Sequence, residues 1–538
     1  MAFDYVIVGG GSAGSVLAAR LSEDPDVSVC LLEAGGKADN IFVRAPAGAV
    51  ALLPGYHKGN NWAFNTEPQA GLNGRKGYQP RGKGLGGSSA INAMLYVRGH
   101  PSDYDSWAAL GNAGWGYADV LSYFKKSEGN ACGANEWHGE NGPLQVCDQQ
   151  SPRPITEAFV QAATQMQHRR NDDFNGVEQE GVGHYQVTQF HGGPKNGERC
   201  SVAAAYLTPA RGRENLTVIT RARAARIVLE GKRAVGVEYL AGKKQIETTV
   251  RARREVIVAS GTFGSPQLLQ LSGIGRREDI EPHGIELLHE LPGVGQNLQD
   301  HLDTILAYKS KETDLFGIGF RATFNLIKHI WNWRKTGKGL IATPFAEGAG
   351  FLKTNVALEK PDIQLHFVVA VVEDHARKLH LGYGFSCHVC ALRPFSRGVV
   401  SLQDANPLSP PKINPRYLSD PRDLALAVKA VKMARQIMQA PALARYRHKE
   451  LVTTPDMSDD QWRDYIQNTA DTIYHPVGTC KMGVDDMAVV DAELRVHGLK
   501  GLRVVDASIM PELIGGNTNA STVMIAEKAA DMLKASFA

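Results

Sequence analysis

Residues 3–36 read FDYVIVGGGSAGSVLAARLSEDPDVSVCLLEAGG, with an apolar run, a glycine cluster, a helical pattern and a second apolar run in that order. The glycines follow the G-x-G-x-x-G spacing, in which each has a mechanical role. Gly9 permits a tight turn, Gly11 lets a pyrophosphate approach the backbone, and Gly14 lets the helix pack closely on the strand. The unpaired N–H groups at the start of the helix would face the phosphates. This order of features predicts a site for an adenine dinucleotide.

The second apolar run ends at Glu33, nineteen residues after Gly14. An acid at this position accepts hydrogen bonds from the ribose of a dinucleotide. The fingerprint alone leaves both FAD and NAD open as the ligand. The predicted cofactor-binding residues of this segment are Gly9, Gly11, Ser12, Ala13, Gly14, Glu33 and Ala34.

Length and composition are those of a globular protein. The chain has 538 residues, enough for two or more structural domains, and its 43% hydrophobic and 21% charged content is ordinary. A net charge of only +3, without a basic block, argues against nucleic acid as a partner. No apolar stretch approaches the roughly 18 residues of a membrane span, and the first strand begins close to Met1. We therefore expect a cytoplasmic protein without a signal peptide.

The seven cysteines do not predict a disulfide framework, because their number is odd and they are spread along the chain. The one CxxC motif, at 387–390, lies in a strand-like run and has no second pair to complete a metal site. We interpret its cysteines as buried apolar thiols and expect no metal centre.

The segment 316–335 has an apolar helical face that admits two interpretations. It could be an interfacial helix that rests on a membrane surface, or a helix packed in the core of a substrate-binding domain. We favour the core helix, because apolar faces mostly pack against protein; peripheral association with the inner membrane stays the alternative. The apolar residues are Phe316, Phe320, Phe324, Ile327 and Trp331, with Arg321, Lys328, Arg334 and Lys335 nearby.

Four further segments carry long motifs. They read PRGKGLGGSSAINAMLYVRG (80–99), GTFGSPQLLQLSGIG (261–275), YHPVGTCKMG (474–483) and VVDASIMPELIGGNTNASTVMIAEKAADML (504–533). Together they resemble the glucose–methanol–choline (GMC) oxidoreductase family of flavoenzymes, and among its members the bacterial FAD-dependent alcohol dehydrogenases and choline dehydrogenases. The resemblance covers essentially the whole chain and implies FAD, rather than NAD, as the cofactor.

The expected fold is α/β (α+β overall): a Rossmann-like FAD-binding domain with an inserted substrate-binding domain, built on an antiparallel sheet flanked by helices. Strand-like runs at 216–220, 225–230, 234–240 and 255–260 would continue the nucleotide-binding sheet, and runs at 361–372, 385–392 and 397–402 would form the antiparallel sheet. The predicted FAD-binding domain comprises 1–155, 196–307 and 471–538, and the predicted substrate-binding domain comprises 156–195 and 308–470.

By resemblance, the glycine-rich segment at 80–99 cradles the flavin. Some members carry a histidine, covalently joined to the flavin, one residue before Asn92; here that position is Ile91, which implies a noncovalent cofactor. The final helix begins just after Asn517, and its N-terminal dipole would favour negative charge on the flavin. Asp506 matches a position near the ribityl–phosphate region, although a turn or helix cap explains it equally well. The predicted cofactor residues here are Gly84, Gly87, Ser88, Asn92, Ala93, Asp506, Ala507, Asn517 and Thr518.

His475 and Asn517 are the predicted catalytic pair. A lone histidine is more often a core residue, but His475 precedes Pro476, which restricts its backbone to extended conformations, and it lies in a glycine-containing loop. In the family the matching histidine lies beside the flavin N5 and the substrate hydroxyl. Its unperturbed pKa of about 6.5 suits proton acceptance. By resemblance, Asn517 would donate a hydrogen bond to the substrate oxygen.

The resemblance implies oxidation of a primary alcohol to an aldehyde by hydride transfer to flavin N5, with electrons passed to a quinone, an electron-transfer protein or O2. An alcohol oxidase that uses O2 and a choline dehydrogenase are the alternatives. Relatives that are flavin-dependent lyases have a pattern of two histidines, so Asn517 argues against a lyase. The intact pair of His475 and Asn517 also argues against a non-catalytic flavin-binding protein. His366 and Tyr474 are candidate substrate residues, although His366 could equally be a core histidine. Glu347 is weak evidence for a cationic substrate, because similar residues occur in relatives that act on neutral alcohols. We favour medium-chain aliphatic or aromatic alcohols over choline, since the sequence shows no cluster of aromatic and acidic residues that would bind a quaternary ammonium.

Overall fold

The computed structural model describes residues 1–56 and 59–537, apart from the side chains of residues 321–323. The described part contains a seven-stranded and an eight-stranded sheet. In chain order their strands are β1 Ala2–Val8, β2 Val29–Glu33, β3 Gly181–His184, β4 Leu216–Thr220, β5 Ala222–Glu230, β6 Arg233–Ala241, β7 Ile246–Val258, β8 Leu302–Ser310, β9 Gly317–Ile318, β10 Ala346–Leu352, β11 Ile363–Val368, β12 Gly382–Ala391, β13 Lys449–Glu450, β14 Asp471–Thr472 and β15 Leu502–Val504. The described helices of nine or more residues are α1 Ser12–Leu21, α2 Pro101–Ala109, α3 Tyr117–Ser127, α4 Pro154–Gln165, α5 Gly261–Leu271, α6 Phe320–Thr336, α7 Pro421–Gln439, α8 Asp459–Thr469 and α9 Asn519–Ala535.

The seven-stranded sheet has the order β5-β6-β7-β1-β2-β4, with β15 beside β7. Strands β7, β1, β2, β4 and β15 run parallel, whereas β5 and β6 extend the sheet in antiparallel fashion. Strand β1 is buried from Asp4 to Val8, as a central parallel strand covered on both faces must be. Parallel pairing brings the carboxyl ends of β1, β2 and β7 to one edge, and the fingerprint glycines follow β1 at that edge.

The eight-stranded sheet is antiparallel, in the order β13-β8-β12-β11-β10-β3, with β9 beside β12 and β14 beside β8. Successive side chains of a strand point to opposite faces. Leu365 and Phe367 of β11 therefore join the apolar core with α4 and α7, whereas Gln364 and His366 lie on the other face. His366 is paired in register with His388 of β12. His366 and His388 on this polar face line the cavity described below.

The predicted α/β class is confirmed, with a parallel nucleotide-binding type of sheet and a separate antiparallel sheet. The segment 397–402 is an exception, because Val399–Ser401 pairs with Lys412–Asn414 in a two-stranded ribbon outside the large sheets. The domain boundaries stay a prediction. Strand β8 begins at Leu302, before the predicted boundary at 308, and pairs with β14.

Helix α6 is not packed in the core, so the interpretation we favoured for 316–335 is wrong. Exposed fractions are 93% for Phe320, 71% for Phe324, 65% for Ile327 and 69% for Trp331. A helical period is the same whether the apolar face meets protein or another apolar phase, so the pattern could not distinguish them. Phe316 precedes the helix and is partly buried, and the side chain of Arg321 lies outside the described ones.

Two other expectations concern the cysteines of the CxxC motif and membrane-spanning helices. Cys387 and Cys390 are buried free thiols, as predicted. Within the described ranges, no helix combines the length and the apolar character needed to cross a bilayer.

Candidate active site

One cavity connects the glycine fingerprint with His475. Its wall includes the carboxyl ends of β1 and β2, the residues after β7, and side chains from the polar face of the antiparallel sheet. The edge at the carboxyl ends of parallel strands is where α/β folds bind ligands. The predicted site residues on this wall are Gly9, Gly11, Ser12, Ala13, Glu33, Ala34, Gly87, Ser88, Asn92, Ala93, His366, Tyr474, His475, Asp506, Ala507, Asn517 and Thr518. Gly14 and Gly84 lie off the wall.

The three fingerprint glycines have different local constraints. Gly9 has φ of +106°, a conformation that favours glycine. A Cβ on Gly14 would lie 1.8 Å from the carbonyl oxygen of Gly9, so only glycine lets α1 pack on this turn. Gly11 has an ordinary φ of −72°, and a Cβ there would meet only Gly87 Cα, at 4.0 Å. The space beside Gly11 is therefore open cavity, a cradle that a side chain would fill.

Glu33 ties three glycine-rich backbone segments together. Its carboxylate accepts hydrogen bonds from the N–H groups of Gly10 at 2.9 Å, Gly35 at 2.6 Å and Gly84 at 2.9 Å. Burial raises the pKa of Glu33, against the lowering effect of these N–H donors. The predicted bond to a ribose would add to this arrangement, since a carboxylate has about four acceptor positions. The role in holding the loops together was not predicted from the sequence.

Arg81 is a wall residue that the sequence reasoning missed. Its Nη1 donates to the carbonyl of Tyr474 at 3.0 Å, whereas Nε and Nη2 are buried without a hydrogen-bond partner in the described part of the chain. Buried donors normally have partners, so these two are oriented for an acceptor that a ligand would bring. Its position in PRGKG, within the glycine-rich segment 80–99 and directly before the first of its glycines, was the available signal. With the cradle at Gly11, these donors fit a bound dinucleotide.

The glycine-rich loop at 80–99 lies against the fingerprint. A Cβ on Gly87 would come within 2.8 Å of Gly11 Cα, so the two glycine loops are in backbone contact. Arg199, another residue not predicted, orients Asn92: its Nη1 donates to the Asn92 carbonyl at 2.6 Å and to its Oδ1 at 2.8 Å. Ile91, at the position of the covalent histidine in some relatives, lines the cavity.

His475 is held by three neighbours. Its backbone N–H donates to Asp300 Oδ1 at 3.0 Å, its Nδ1 lies 3.0 Å from Nδ1 of His301, and its Nε2 lies 3.0 Å from Nδ2 of Asn517. The predicted pair therefore meets side by side on the cavity wall. His301 was missed, because nothing local to residues 297–303 marks it as a partner of a loop more than 170 positions away.

A chain of hydrogen bonds determines which nitrogen of His475 carries the proton. The carbonyl of Leu365 can only accept, so Tyr185 donates its hydroxyl proton to it, at 3.1 Å. The Tyr185 oxygen then accepts from Gln364 Nε2 at 2.8 Å, and the same amide nitrogen donates to Asn517 Oδ1 at 3.0 Å. Asn517 Nδ2 must therefore donate to His475 Nε2. His475 thus carries its hydrogen on Nδ1, and the single lone pair of its Nε2 accepts from Asn517 on the cavity wall.

The electrostatic surroundings keep His475 neutral. Burial, followed by the nearby His301 and Arg81, lowers the pKa of His475 well below its usual value. Burial also lowers the pKa of His301, to about 3. The unperturbed value near 6.5 used in the sequence argument therefore does not apply. A neutral imidazole can still accept a proton at Nε2 when a hydroxyl takes the place of the Asn517 N–H at that lone pair.

The polar face of the antiparallel sheet forms the opposite wall. His366 is buried on this wall, and neither of its ring nitrogens has a hydrogen-bond partner among the described residues. Burial, with His475 and His388 nearby, lowers the pKa of His366 well below its usual value. His388 also lines the cavity, and its Nδ1 lies 2.5 Å from Asp303 Oδ2. The sequence analysis treated His388 only as part of the CxxC motif and did not predict it as a site residue.

Tyr474, directly before His475, has an uncommon backbone conformation. Its φ is +77°, which for a bulky residue costs about 1–3 kcal/mol. Hydrogen bonds on several sides maintain it: the hydroxyl lies 2.8 Å from His375 Nδ1, and the backbone N–H donates to Thr472 Oγ1 at 2.8 Å. Tyr474 lines the cavity, and its hydroxyl already has a protein partner.

Asp506 acts as a turn cap in the structure. Its Oδ1 accepts from the N–H of Ser508, and its Oδ2 accepts from the N–H of Gly261 and from Ser265 Oγ. The capping interpretation thus describes its protein contacts, while the predicted cofactor contact stays a prediction. Glu347 lies off the cavity wall, and its carboxylate accepts from Thr343, Thr156 and the backbone of Arg153.

Comparison with known proteins identifies the family. The GMC oxidoreductase models match residues 3–303 in an N-terminal part and residues 394–526 in a C-terminal part. The chain belongs to the GMC oxidoreductase family. The resemblance of the four motifs is therefore confirmed. Residues 304–393, which carry α6, β11 and β12 of this GMC oxidoreductase, lie between the two matches.

Relatives of this GMC oxidoreductase match it over nearly its full length. An alcohol dehydrogenase (acceptor) of Pseudomonas putida is 45% identical over 99% of this chain and 95% of its own. An oxygen-dependent choline dehydrogenase of Escherichia coli is 44% identical over 99% of this chain and 96% of its own. Among solved structures, pyridoxine 4-oxidase from Mesorbium loti has a TM-score of 0.87 and 33% identity, covering 98% of both chains. A formate oxidase of Aspergillus oryzae RIB40 has a TM-score of 0.91 and 26% identity, covering 100% of this chain and 98% of its own.

Proposed function

We propose that this GMC oxidoreductase is an FAD-dependent alcohol dehydrogenase that oxidises a primary alcohol to an aldehyde. The observation that carries the proposal is the 3.0 Å contact between His475 Nε2 and Asn517 Nδ2 on the wall of the cavity that also holds the glycine fingerprint. The full-length similarity to an alcohol dehydrogenase and a choline dehydrogenase supports the same reaction class.

The fingerprint and the second glycine loop would hold FAD. Gly11 and the start of α1 would receive the pyrophosphate, Glu33 the adenosine ribose, and the loop around Gly87 and Ser88 the flavin. When bound, FAD supplies a flavin whose N5 accepts a hydride from the carbinol carbon. Because Ile91 offers no nucleophile at the position of covalent attachment in some relatives, the cofactor is held noncovalently.

His475 is the base of the proposed reaction. The alcohol hydroxyl takes the place of the Asn517 N–H at the Nε2 lone pair. This lone pair then accepts the hydroxyl proton, while Nδ1–H keeps its hydrogen bond to His301. Asn517 Nδ2 donates to the substrate oxygen as negative charge develops there, an effect that can contribute about 3 kcal/mol. The alcohol thus loses a proton to the protein and a hydride to the cofactor, leaving the aldehyde. The proton on His475 and the two electrons must leave before the next turnover.

The cavity beyond the catalytic pair suits an apolar alcohol. Val368, Val372, Phe345 and Ala376 line it, which favours aliphatic or aromatic substrates over choline. Glu347 offers no counter-charge for a quaternary ammonium, since it is off the wall and bonded to protein. His366, with its two unpartnered nitrogens, and Tyr474 are the proposed polar contacts of the substrate.

The His475→Ala variant tests the proposal. It should retain the yellow flavin but reduce it at a rate lower by several orders of magnitude when mixed anaerobically with alcohol, because the proton acceptor is gone. His448→Ala, at an exposed histidine, is the matched control. Fast flavin bleaching by the His475→Ala variant would overturn the assignment. A panel of aliphatic, aromatic, polyol and choline substrates in the same assay would identify the substrate class.

The electron acceptor separates the alternatives. A dehydrogenase passes electrons to a quinone or an electron-transfer protein, whereas an oxidase passes them to O2. Mixing the reduced enzyme with air and, separately, with a soluble quinone in a stopped-flow instrument distinguishes the two. We expect faster reoxidation by the quinone; faster reoxidation by air would make the enzyme an oxidase.

A further inference from the structure

Helix α6 presents an apolar face that nothing in the described protein covers. Phe320, Phe324, Ile327 and Trp331 recur at the spacing of one helical face, and each is at least 65% exposed. Leu326 and Ile330 beside them are 38% and 41% exposed. A contiguous exposed apolar surface of this kind marks an interaction site.

The same segment is strongly basic. Residues 315–346 contain five Lys or Arg residues and neither Asp nor Glu, although the whole chain has a net charge of only +3. Lys328, Arg334, Lys335 and Lys338 are exposed, and none forms an ion pair with a described residue. Exposed aromatic residues together with basic residues that form no ion pair are what an interfacial helix presents to anionic lipid.

The helix is held to the protein by its C-terminal end. Trp333 is buried against Ala45, Ile341 and Ala342, and its Nε1 donates to the carbonyl of Gly197 at 2.9 Å. Asn196 Nδ2 donates to the carbonyl of Thr336 at 3.1 Å. The apolar face is therefore presented by a helix with a defined attachment.

The attachment of α6 is continuous with the cavity wall. The segment that contains Ala45 leads into Ala49 and Val50, and the segment that contains Ala342 leads into Pro344 and Phe345; all four line the cavity. The turn Ile41–Arg44, just before Ala45, adds two exposed apolar residues, Ile41 at 36% and Phe42 at 46%. The exposed apolar surface thus lies beside the cavity that would take the alcohol.

We infer that α6 docks this enzyme on the surface of an anionic lipid bilayer, with its apolar face in the interface and its basic side chains among the head groups. A second copy of the chain is a poor occupant, because a two-fold contact centred on α6 would bring two basic segments together. Resting on the proposed function, this docking would let an apolar alcohol and a lipid-soluble acceptor reach the cavity from the bilayer.

Flotation of the FAD-loaded enzyme with lipid vesicles tests the docking without any turnover, so its outcome is independent of the proposed reaction. Vesicles of phosphatidylcholine with phosphatidylglycerol should bind the enzyme at least ten times more strongly than phosphatidylcholine alone, and salt should weaken the binding. The F324S/W331S variant should lose at least tenfold of this binding. The V177S/V484S variant, which changes two exposed apolar residues elsewhere, should retain it.

Circular dichroism and the flavin absorbance per protein establish that the F324S/W331S variant is folded and loaded with FAD, since neither residue lines the cavity. Equal binding of both variants and the unaltered enzyme to anionic vesicles would overturn the inference. The inference would also be overturned if the unaltered enzyme bound neither type of vesicle. A dimer in light scattering that the F324S/W331S substitutions convert to a monomer would overturn it too, because the surface would then be an interface between copies.

Discussion

Nδ1 of His301 and Nδ1 of His475 lie 3.0 Å apart in a buried pair, so one ring must donate and the other accept. The hydrogen-bond chain that starts at the Leu365 carbonyl makes His475 the donor. His301 therefore accepts from the Nδ1–H of His475 and stabilises the tautomer whose Nε2 carries a lone pair. It acts through His475 and has no need to touch the substrate.

The His301→Leu variant should lose this stabilisation. Without an acceptor, the Nδ1–H of His475 is left buried and unpaired, at a cost of about 1–3 kcal/mol, which favours the tautomer that carries the proton on Nε2. Flavin reduction by alcohol should slow by roughly 10- to 100-fold, with FAD still bound. His301→Gln, whose side-chain oxygen can accept, should recover part of the rate. A His301→Leu variant as fast as the unaltered enzyme would rule out the tautomer role.

Tyr185 lies at the other end of the same chain. Tyr185→Phe removes the hydroxyl that orients Gln364, so the amides of Gln364 and Asn517 can rotate. We expect a loss of about tenfold in kcat with a smaller change in KM, because Asn517 would less often direct its N–H to the substrate oxygen. Tyr123→Phe, at a tyrosine that does not line the cavity, is the control. A rise in KM at constant kcat would instead place Tyr185 in substrate binding.

The sequence predicted the parts of the site that depend on local pattern. The glycine spacing after β1 has a local mechanical reason, and the structure places Gly9, Gly11 and Gly14 in the corresponding positions. His301 and Gln364 had no such signal, because their roles arise from contacts across more than 150 residues. Helix α6 shows a different limit, since amphipathic periodicity reveals an apolar face and not what covers it.

Gly11 and Gly14 should respond differently to alanine. Gly11→Ala adds a Cβ where only Gly87 Cα lies within reach, at 4.0 Å, so the fold should be kept while FAD binding weakens strongly. Gly14→Ala places a Cβ 1.8 Å from the Gly9 carbonyl, so folding itself should suffer. Circular dichroism and thermal unfolding report the fold, and the flavin absorbance per protein reports binding. A Gly11→Ala enzyme with full FAD content would show that the pyrophosphate does not approach this backbone.

Acid should destabilise the folded enzyme through three buried histidines. Burial is the main cause that lowers the pKa of His301 to about 3 and those of His366 and His475 well below their usual value, whereas in the unfolded chain each titrates near 6.5. Below about pH 6.5 the unfolded chain therefore binds protons that the folded chain excludes. As the pH is lowered below 6.5, the free energy of unfolding decreases by up to about 1.4 kcal/mol per pH unit for each histidine. This part of the stability is fully present above pH 6.5.

The His366→Leu variant isolates one of these contributions. Between about pH 6.5 and 5.5, its free energy of unfolding, from urea titrations, should fall less steeply than that of the unaltered enzyme, by up to about 1.4 kcal/mol per pH unit. His448→Leu, at an exposed histidine, should leave the slope unchanged. Carboxylates such as Glu33, whose pKa burial raises, are present in both proteins and therefore cancel in the difference. Equal slopes for His366→Leu and the unaltered enzyme would mean that His366 takes up its proton in the folded state, with a partner that the cavity supplies.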